Sequence, residues 1–406
     1  MIKNGMYIAL IDGIGIVLNI IKSVKEAIME KENKFDLKTI ISVAGACLSC
    51  IIGAGTASGQ EILQFLVSFG YWGIGGCIIA LILYIWYTTV LVDIGRRIHA
   101  QSSKQVFGYL LGDKFGMLMD YFTFVMVFLI FVVMLSGAGA TISQYTGMNE
   151  ITARIVATIV VLCTVLLGIE KFVNILGCVG PVIVVIGALI GLISFLQNID
   201  GFLHAGEIMK TLNMAHPSGV HSWWVSGILY VTFTVMIAVP FYTKLGSEVK
   251  ERKNAVAGGI VAGAGFMLVA ILFYLGMLSS IDKVYDKQVP TLELAKAISP
   301  FFAFMFTVLI LLAIYSTAVP LCWTVCSKVA GTNKIRYKIC AVVTCIIGFF
   351  GALFPFASII GVVYPYLGIV GIILCIAMFY RYHINPGDVE KYSHPTINGK
   401  TAEEKE

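Results

Sequence analysis

Residues Ile51–Phe65 read IIGAGTASGQEILQF, and the fold turns on how that string is housed. It lies within an apolar run from Thr39 to about Phe69 that carries no Lys or Arg. As one helix the run would be about 45 Å long at ~1.5 Å per residue, against a hydrocarbon core of about 30 Å. Gly53, Gly55 and Gly59 fall within seven residues, and Gln60 and Glu61 follow at once. Glycine weakens a helix interior and a carboxylate at membrane depth is costly, so both need a cause. A membrane helix broken in its middle supplies one, because its exposed backbone becomes a binding site.

The rest of the chain agrees with a membrane setting. At 58% hydrophobic and 13% charged over 406 residues, it lacks the polar surface of a soluble chain and reads as an all-α polytopic membrane protein. The apolar runs are continuous and helix-length, not the short alternating segments of an outer-membrane barrel. The net charge of +5 comes from basic residues scattered among short loops, which argues against a nucleic-acid partner. All ten cysteines fall in or beside apolar runs and read as packing residues. Cys47 and Cys50 form a CxxC inside a span, with no second pair or nearby His to make a zinc site.

Ten spans are predicted: Thr39–Phe69, Tyr71–Val92, Tyr121–Gln144, Ile151–Gly168, Phe172–Leu196, Trp223–Leu245, Ala255–Leu278, Phe301–Val329, Ile339–Phe354 and Ala357–Tyr380. Residues 1–38 form an N-terminal segment expected to lie at the cytoplasmic face, with no small-residue cleavage site of a removable signal peptide. Residues 198–221 connect the halves outside the cell, and 381–406 form a cytoplasmic tail. Within the outer stretch Ser279–Pro300, VPTLELAKAIS reads as a short amphipathic helix. With both termini cytoplasmic, about 23 of the 28 Lys and Arg fall inside, the bias expected of a plasma-membrane protein.

Five spans occupy 39–197 and five occupy 222–380. Because five is odd, the second half starts from the opposite side, so the halves are expected to be inverted repeats. The sixth span, partner of the first, is expected to be interrupted too, since Tyr230–Pro240 packs two threonines and a proline into mid-span.

Candidate site residues follow from these breaks. Unwinding at Gly53–Gly59 would free backbone N–H groups, with Gly53, Ala54, Gly55 and Thr56 set to hold a substrate carboxylate. The same glycines would equally allow close helix packing. Tyr230, Thr232, Phe233 and Thr234 offer hydroxyls and an aromatic wall, although mid-helix threonines also bond back to the preceding turn. Carbonyls at Ile52 and Gly53, with the adjacent hydroxyls of Ser316 and Thr317 in the eighth span, suit a hard cation such as Na+. Ser316 and Thr317 also fit as hydroxyls capping a kink before Pro320. Glu61 reads as a first-turn acid, as a proton carrier or cation ligand, or as a wet vestibule residue. The GxxxG pairs Gly187–Gly191 and Gly259–Gly263 read as helix contacts. Tyr71, Trp72, Tyr145, Trp223 and Trp224 read as an interfacial belt. No triad, paired carboxylate or ATP-binding motif is present, which argues against an enzyme or primary pump.

At IGAGTASGQEILQF the sequence resembles the YkvI-like bacterial membrane proteins. More distantly it is similar to the amino acid–polyamine–organocation transporters, whose five-plus-five architecture is the LeuT type. Their first broken helix carries a small-residue G-[AS]-G motif, matched by Gly53–Ala54–Gly55, which implies that these amides meet a substrate carboxylate. Sodium-coupled relatives place adjacent Ser/Thr on the eighth helix, matched by Ser316 and Thr317. The resemblance covers roughly Lys38–Tyr380. The expectation is thus a secondary transporter of a small solute, most simply an amino acid, coupled to Na+ or H+ and needing no cofactor beyond that ion. The alternative is a ligand-sensing receptor subunit on the same scaffold, resembling spore-germinant receptors, which binds without transport.

Overall fold

Asp36 opens the first helix: its carboxylate accepts from the Lys38 backbone N–H at 3.1 Å and from the Thr39 hydroxyl, capping donors that a helix start leaves free. In the computed structural model, which describes residues 35–167, 179–331, 333–387 and 389–393, that helix is α1, Leu37–Ile51. Two short helical segments follow, α2 (Ala54–Ser58) and α3 (Gln60–Phe65), then a 3-10 stretch over Val67–Trp72. The remaining helices are α4 (Gly73–Ile98), α5 (Ser103–Leu111), α6 (Asp113–Thr146), α7 (Glu150–Leu167), α8 (Val179–Gln197) and α9 (Ile199–Thr211). After them come α10 (Trp223–Ser247), α11 (Arg252–Ser279), α12 (Ile281–Val284), α13 (Pro290–Ile298), α14 (Pro300–Ala330), α15 (Lys334–Gly351), α16 (Phe356–Phe379) and α17 (Val389–Ser393).

Among the described residues eight helical stretches are long and apolar enough to cross a membrane. The broken run α1–α3 and the shorter α15, which packs on α14 and α7, are compatible with the expected ten. Residues 1–34 of the N-terminal segment, the junction of the fourth and fifth spans at 168–178 and the last thirteen residues lie outside the described residues. Helix α4 packs along both α10 and α11, and α6 packs along α14. In span numbers these are second on sixth and seventh, and third on eighth. The pairs second–seventh and third–eighth map onto themselves when the halves exchange, as a twofold relation between the halves requires.

Close helix approach is bought with small residues. A Cβ at Gly95 of α4 would meet the Thr243 carbonyl, and one at Gly246 of α10 would meet that of Val92. The predicted GxxxG pairs serve the same end. Gly259 and Gly263 of α11 abut the α4 backbone at Thr89 and Ile85, and Gly191 of α8 abuts α11 at Leu272.

Two expectations need correction. The sixth span is one continuous helix, with no interruption over Tyr230–Pro240. A proline removes a single N–H donor from the ladder, and the threonines find acceptors without unwinding it: Thr232 donates to the Gly368 carbonyl at 2.8 Å and Thr234 to that of Val231 at 2.6 Å. The first span is not unwound throughout Gly53–Gly59. It breaks twice, at Ile52–Gly53 and at Gly59, around the single helical segment α2. The connection after Gln197 holds a helix, α9, whose Phe202, Ala205 and Ile208, three apart, form one face that packs on the core.

One end of the bundle gathers basic residues on acids that range from buried to exposed. Asp93, fully buried, takes Arg96 and Arg97 at 2.8 Å each, the Tyr382 hydroxyl at 2.9 Å and Arg252 at 3.5 Å. Nearby, Lys328 pairs with Asp120 and Lys391 with Asp113. At the opposite end Tyr71, Trp72 and Trp224 are exposed, as a lipid-interface belt requires.

Candidate functional site

The chain turns sharply at Gly59, which sits in the left-handed region at φ 77°. A Cβ there would be strained and would strike Met277 and Thr291. The turn reverses direction just enough to fold the first residues of α3 back over α2. Glu61 consequently lies against Gly55, and its Oε2 accepts the Thr56 hydroxyl at 2.7 Å. Ser58 steadies the reversal, donating to the Gly55 carbonyl at 2.9 Å and accepting from the Gln60 N–H at 3.3 Å. Thr291 of α13 clamps it from outside, donating to the Ala57 carbonyl at 2.8 Å. All residues from Ile52 to Phe65 are buried.

Beside this double break lies a cavity of about 30 Å3, lined among others by Gly53, Glu61, Phe233, Thr234, Thr317 and Tyr364. That volume holds about two water molecules. Its walls come from the first break and from α6 (Ile130, Met134), α10, α14 and α16. The first, third, sixth, eighth and tenth spans therefore converge on one point. An aromatic group stands behind it: Phe233 stacks on Tyr364 with ring centroids 4.4 Å apart, and Phe65 lies 6.0 Å from Phe233.

The structure brings together Gly53, Glu61, Phe233, Thr234 and Thr317 from the sequence-derived set. It does not bring in the others. Ile52, Ala54, Gly55 and Thr56 are buried beside the cavity without lining it, and Glu61 covers Gly55. Tyr230 is buried in the aromatic group, and Thr232 is turned to α16. Ser316 returns its hydroxyl to the Ala313 carbonyl at 2.8 Å, as Thr317 does at 3.1 Å. Thr234 is heavily engaged, since it also meets the hydroxyls of Tyr84 at 3.2 Å and Tyr87 at 3.1 Å. Sequence reasoning missed Tyr364, Ile130 and Met134. For Tyr364 a signal existed, a Tyr-Pro pair deep in an apolar span, whereas the other two look like any lipid-facing residue.

No family model matches the chain. It is 25% identical over 232 residues to the uncharacterized membrane protein YkvI of Bacillus subtilis (strain 168), covering 55% of this chain and 64% of YkvI, just under two thirds of that relative's length. To the uncharacterized protein YyaD of the same strain it is 24% identical over 278 residues, 67% of this chain and 76% of YyaD. Among solved structures it is similar to MhsT in complex with L-phenylalanine (TM-score 0.57, 14% identity, 87% of this chain and 91% of that one). It is also similar to the inward-facing conformation of Mhp1 (TM-score 0.54, 17% identity, 84% and 76%). The fold is the LeuT type. Mhp1, also solved in a closed conformation with bromovinylhydantoin bound (TM-score 0.50, 16% identity, 87% and 80%), is a nucleobase-cation-symport-1 family transporter.

Proposed function

We propose that the chain is a secondary active transporter, not an enzyme, which moves a small solute across a bacterial plasma membrane by alternating access. The observation that carries this reading is the double break of the first span, buried at mid-bundle and opening on a cavity shared by five spans. A backbone interruption is tolerated at membrane depth where it lines a protein-enclosed site. With room for about two waters, the cavity does not admit an amino acid in this conformation. Loading it requires the facing helices to part, as alternating access entails.

An amino acid is the favoured solute, supported by the neighbour MhsT, which was solved with L-phenylalanine. The driving ion is Na+ or H+. Sodium is supported by Thr317 facing Gly53 across the cavity, which would offer hydroxyl and carbonyl oxygens, the ligands a hard cation prefers. Ser316 adds nothing to that set in this conformation. A proton is supported by the buried carboxyl of Glu61. Both termini lie in the cytoplasm, in keeping with the basic end described above.

Uptake of a radiolabelled amino-acid panel into proteoliposomes, under imposed Na+ and proton gradients, tests the proposal. Concentrative uptake driven by one gradient is expected. A flat response to both gradients across the panel refutes it, and saturable binding without flux would instead favour a receptor.

A further inference from the structure

Among the described residues the cavity is lined by one carboxyl group and no base. Glu61 lines it, 4% exposed, and among the described residues no Lys, Arg or His pairs with that carboxyl. That carboxyl accepts from the Thr56 hydroxyl at 2.7 Å and from the Tyr364 hydroxyl, neither of which carries a charge. A carboxylate buried without a cation is costly and otherwise takes up a proton, so in its charged form Glu61 makes a place for a positive group.

Donor accounting gives the same answer. The Thr234 and Thr317 hydroxyl protons are spent on backbone carbonyls of their own helices. Thr234 is also taken up by the hydroxyls of Tyr84 and Tyr87, so the free lone pairs facing the cavity are those of Thr317. Phe233 and Tyr364 add aromatic rings, whose faces attract cations. Of the remaining walls, Ile51, Ile130, Met134, Ile237 and Leu321 are apolar, Gly53 adds only backbone, and Cys50 adds a weak thiol donor. The Gly55 backbone, which the sequence assigned to a substrate carboxylate, is covered by the Glu61 side chain. A solute carboxylate entering here would meet a like charge.

We infer that the solute is recognised through an ammonium group, which pairs with Glu61 and rests against the Phe233–Tyr364 rings. The inference rests on the transporter reading and narrows its substrate class. An amine suffices for binding, and an amino acid binds through its amino end. A carboxylate without an amine is excluded.

The test uses the full-length purified protein and three sets of solutes with matched skeletons: L-alanine, L-leucine and L-phenylalanine, each with its decarboxylated amine and its deaminated acid. Thermal stabilisation in detergent reads binding, and gradient-driven uptake reads transport. In at least one set the amine and the amino acid are expected to stabilise the protein while the acid does not. Glu61→Gln, which keeps the side-chain shape, is expected to weaken amine binding about thirtyfold or more, the effect of leaving a buried charge unpaired. Glu61→Asp keeps the charge and is expected to keep the preference for amines. Size-exclusion profiles confirm that both variants fold.

If an acid stabilises the protein as well as its amine, or if Glu61→Gln binds amines undiminished, the ammonium contact is wrong. Gradient-driven uptake would then leave the transporter reading standing. If none of the nine solutes binds or is taken up, both readings fall together.

Discussion

Replacing Gly59 by alanine tests the turn on which the site depends. Two penalties add at this position. The left-handed backbone costs an L-residue about 1–2 kcal/mol. The new methyl also overlaps Met277 Cε and comes within 2.6 Å of Thr291 Cγ2. Methionine can swing away, but Thr291 is held by its hydrogen bond to the Ala57 carbonyl. Overpacking of this kind costs about 1–3 kcal/mol, so Gly59→Ala should destabilise by roughly 2–5 kcal/mol in all. Gly147, at the end of α6, gives a matched control. Its φ is 74°, nearly that of Gly59, yet a Cβ there meets nothing within 4 Å. Gly147→Ala should therefore carry the backbone term alone, about 1–2 kcal/mol. Thermal unfolding in one detergent at one scan rate, monitored by size exclusion, ranks the two variants. Equal losses for Gly59→Ala and Gly147→Ala would show that α13 does not clamp the turn, and the account of how Glu61 reaches Gly55 would fail.

Two further outcomes follow from the hydrogen-bond geometry. Thr234→Val leaves the buried hydroxyls of Tyr84 and Tyr87 without their shared partner and should cost about 2 kcal/mol or more, whereas Thr232→Val, which breaks one bond to Gly368, should cost about 1 kcal/mol; the reverse order in thermal unfolding would mark Thr234 as a ligand contact rather than a structural one. Asp93→Asn removes the charge that holds Arg96, Arg97 and Tyr382 at the basic end, and should lower stability by about 2–3 kcal/mol, with the loss insensitive to added salt because Asp93 is fully buried; an unchanged melting temperature would show that the cluster contributes nothing.

The spans were legible because hydrophobic length is a local property. The first break was legible for the same reason, since three glycines inside an overlong apolar run conflict with one helix whatever surrounds them. The expected break in the sixth span failed for a physical cause that is also local in appearance and tertiary in fact. Two threonines and a proline weaken an isolated helix. Here the Thr232 hydroxyl is taken by Gly368 of the neighbouring α16, and that packing keeps the helix whole. Asp93 carried no signal in the sequence beyond ending an apolar run. Two of its partners, Arg252 and Tyr382, are more than 150 positions away.

From sequence alone came the membrane class, the approximate spans, the basic bias between loops and the interruption at Gly53–Gly59. Each depends on composition and spacing over a few turns of helix. Tertiary structure decided which groups share the cavity, and it exchanged the roles within the opening stretch. The left-handed turn at Gly59 lays Glu61 across Gly55, so the string that reads as a cradle for a carboxylate presents a carboxylate of its own. Residue types fix what each group can bond. Only the path of the chain decides which of them face one another.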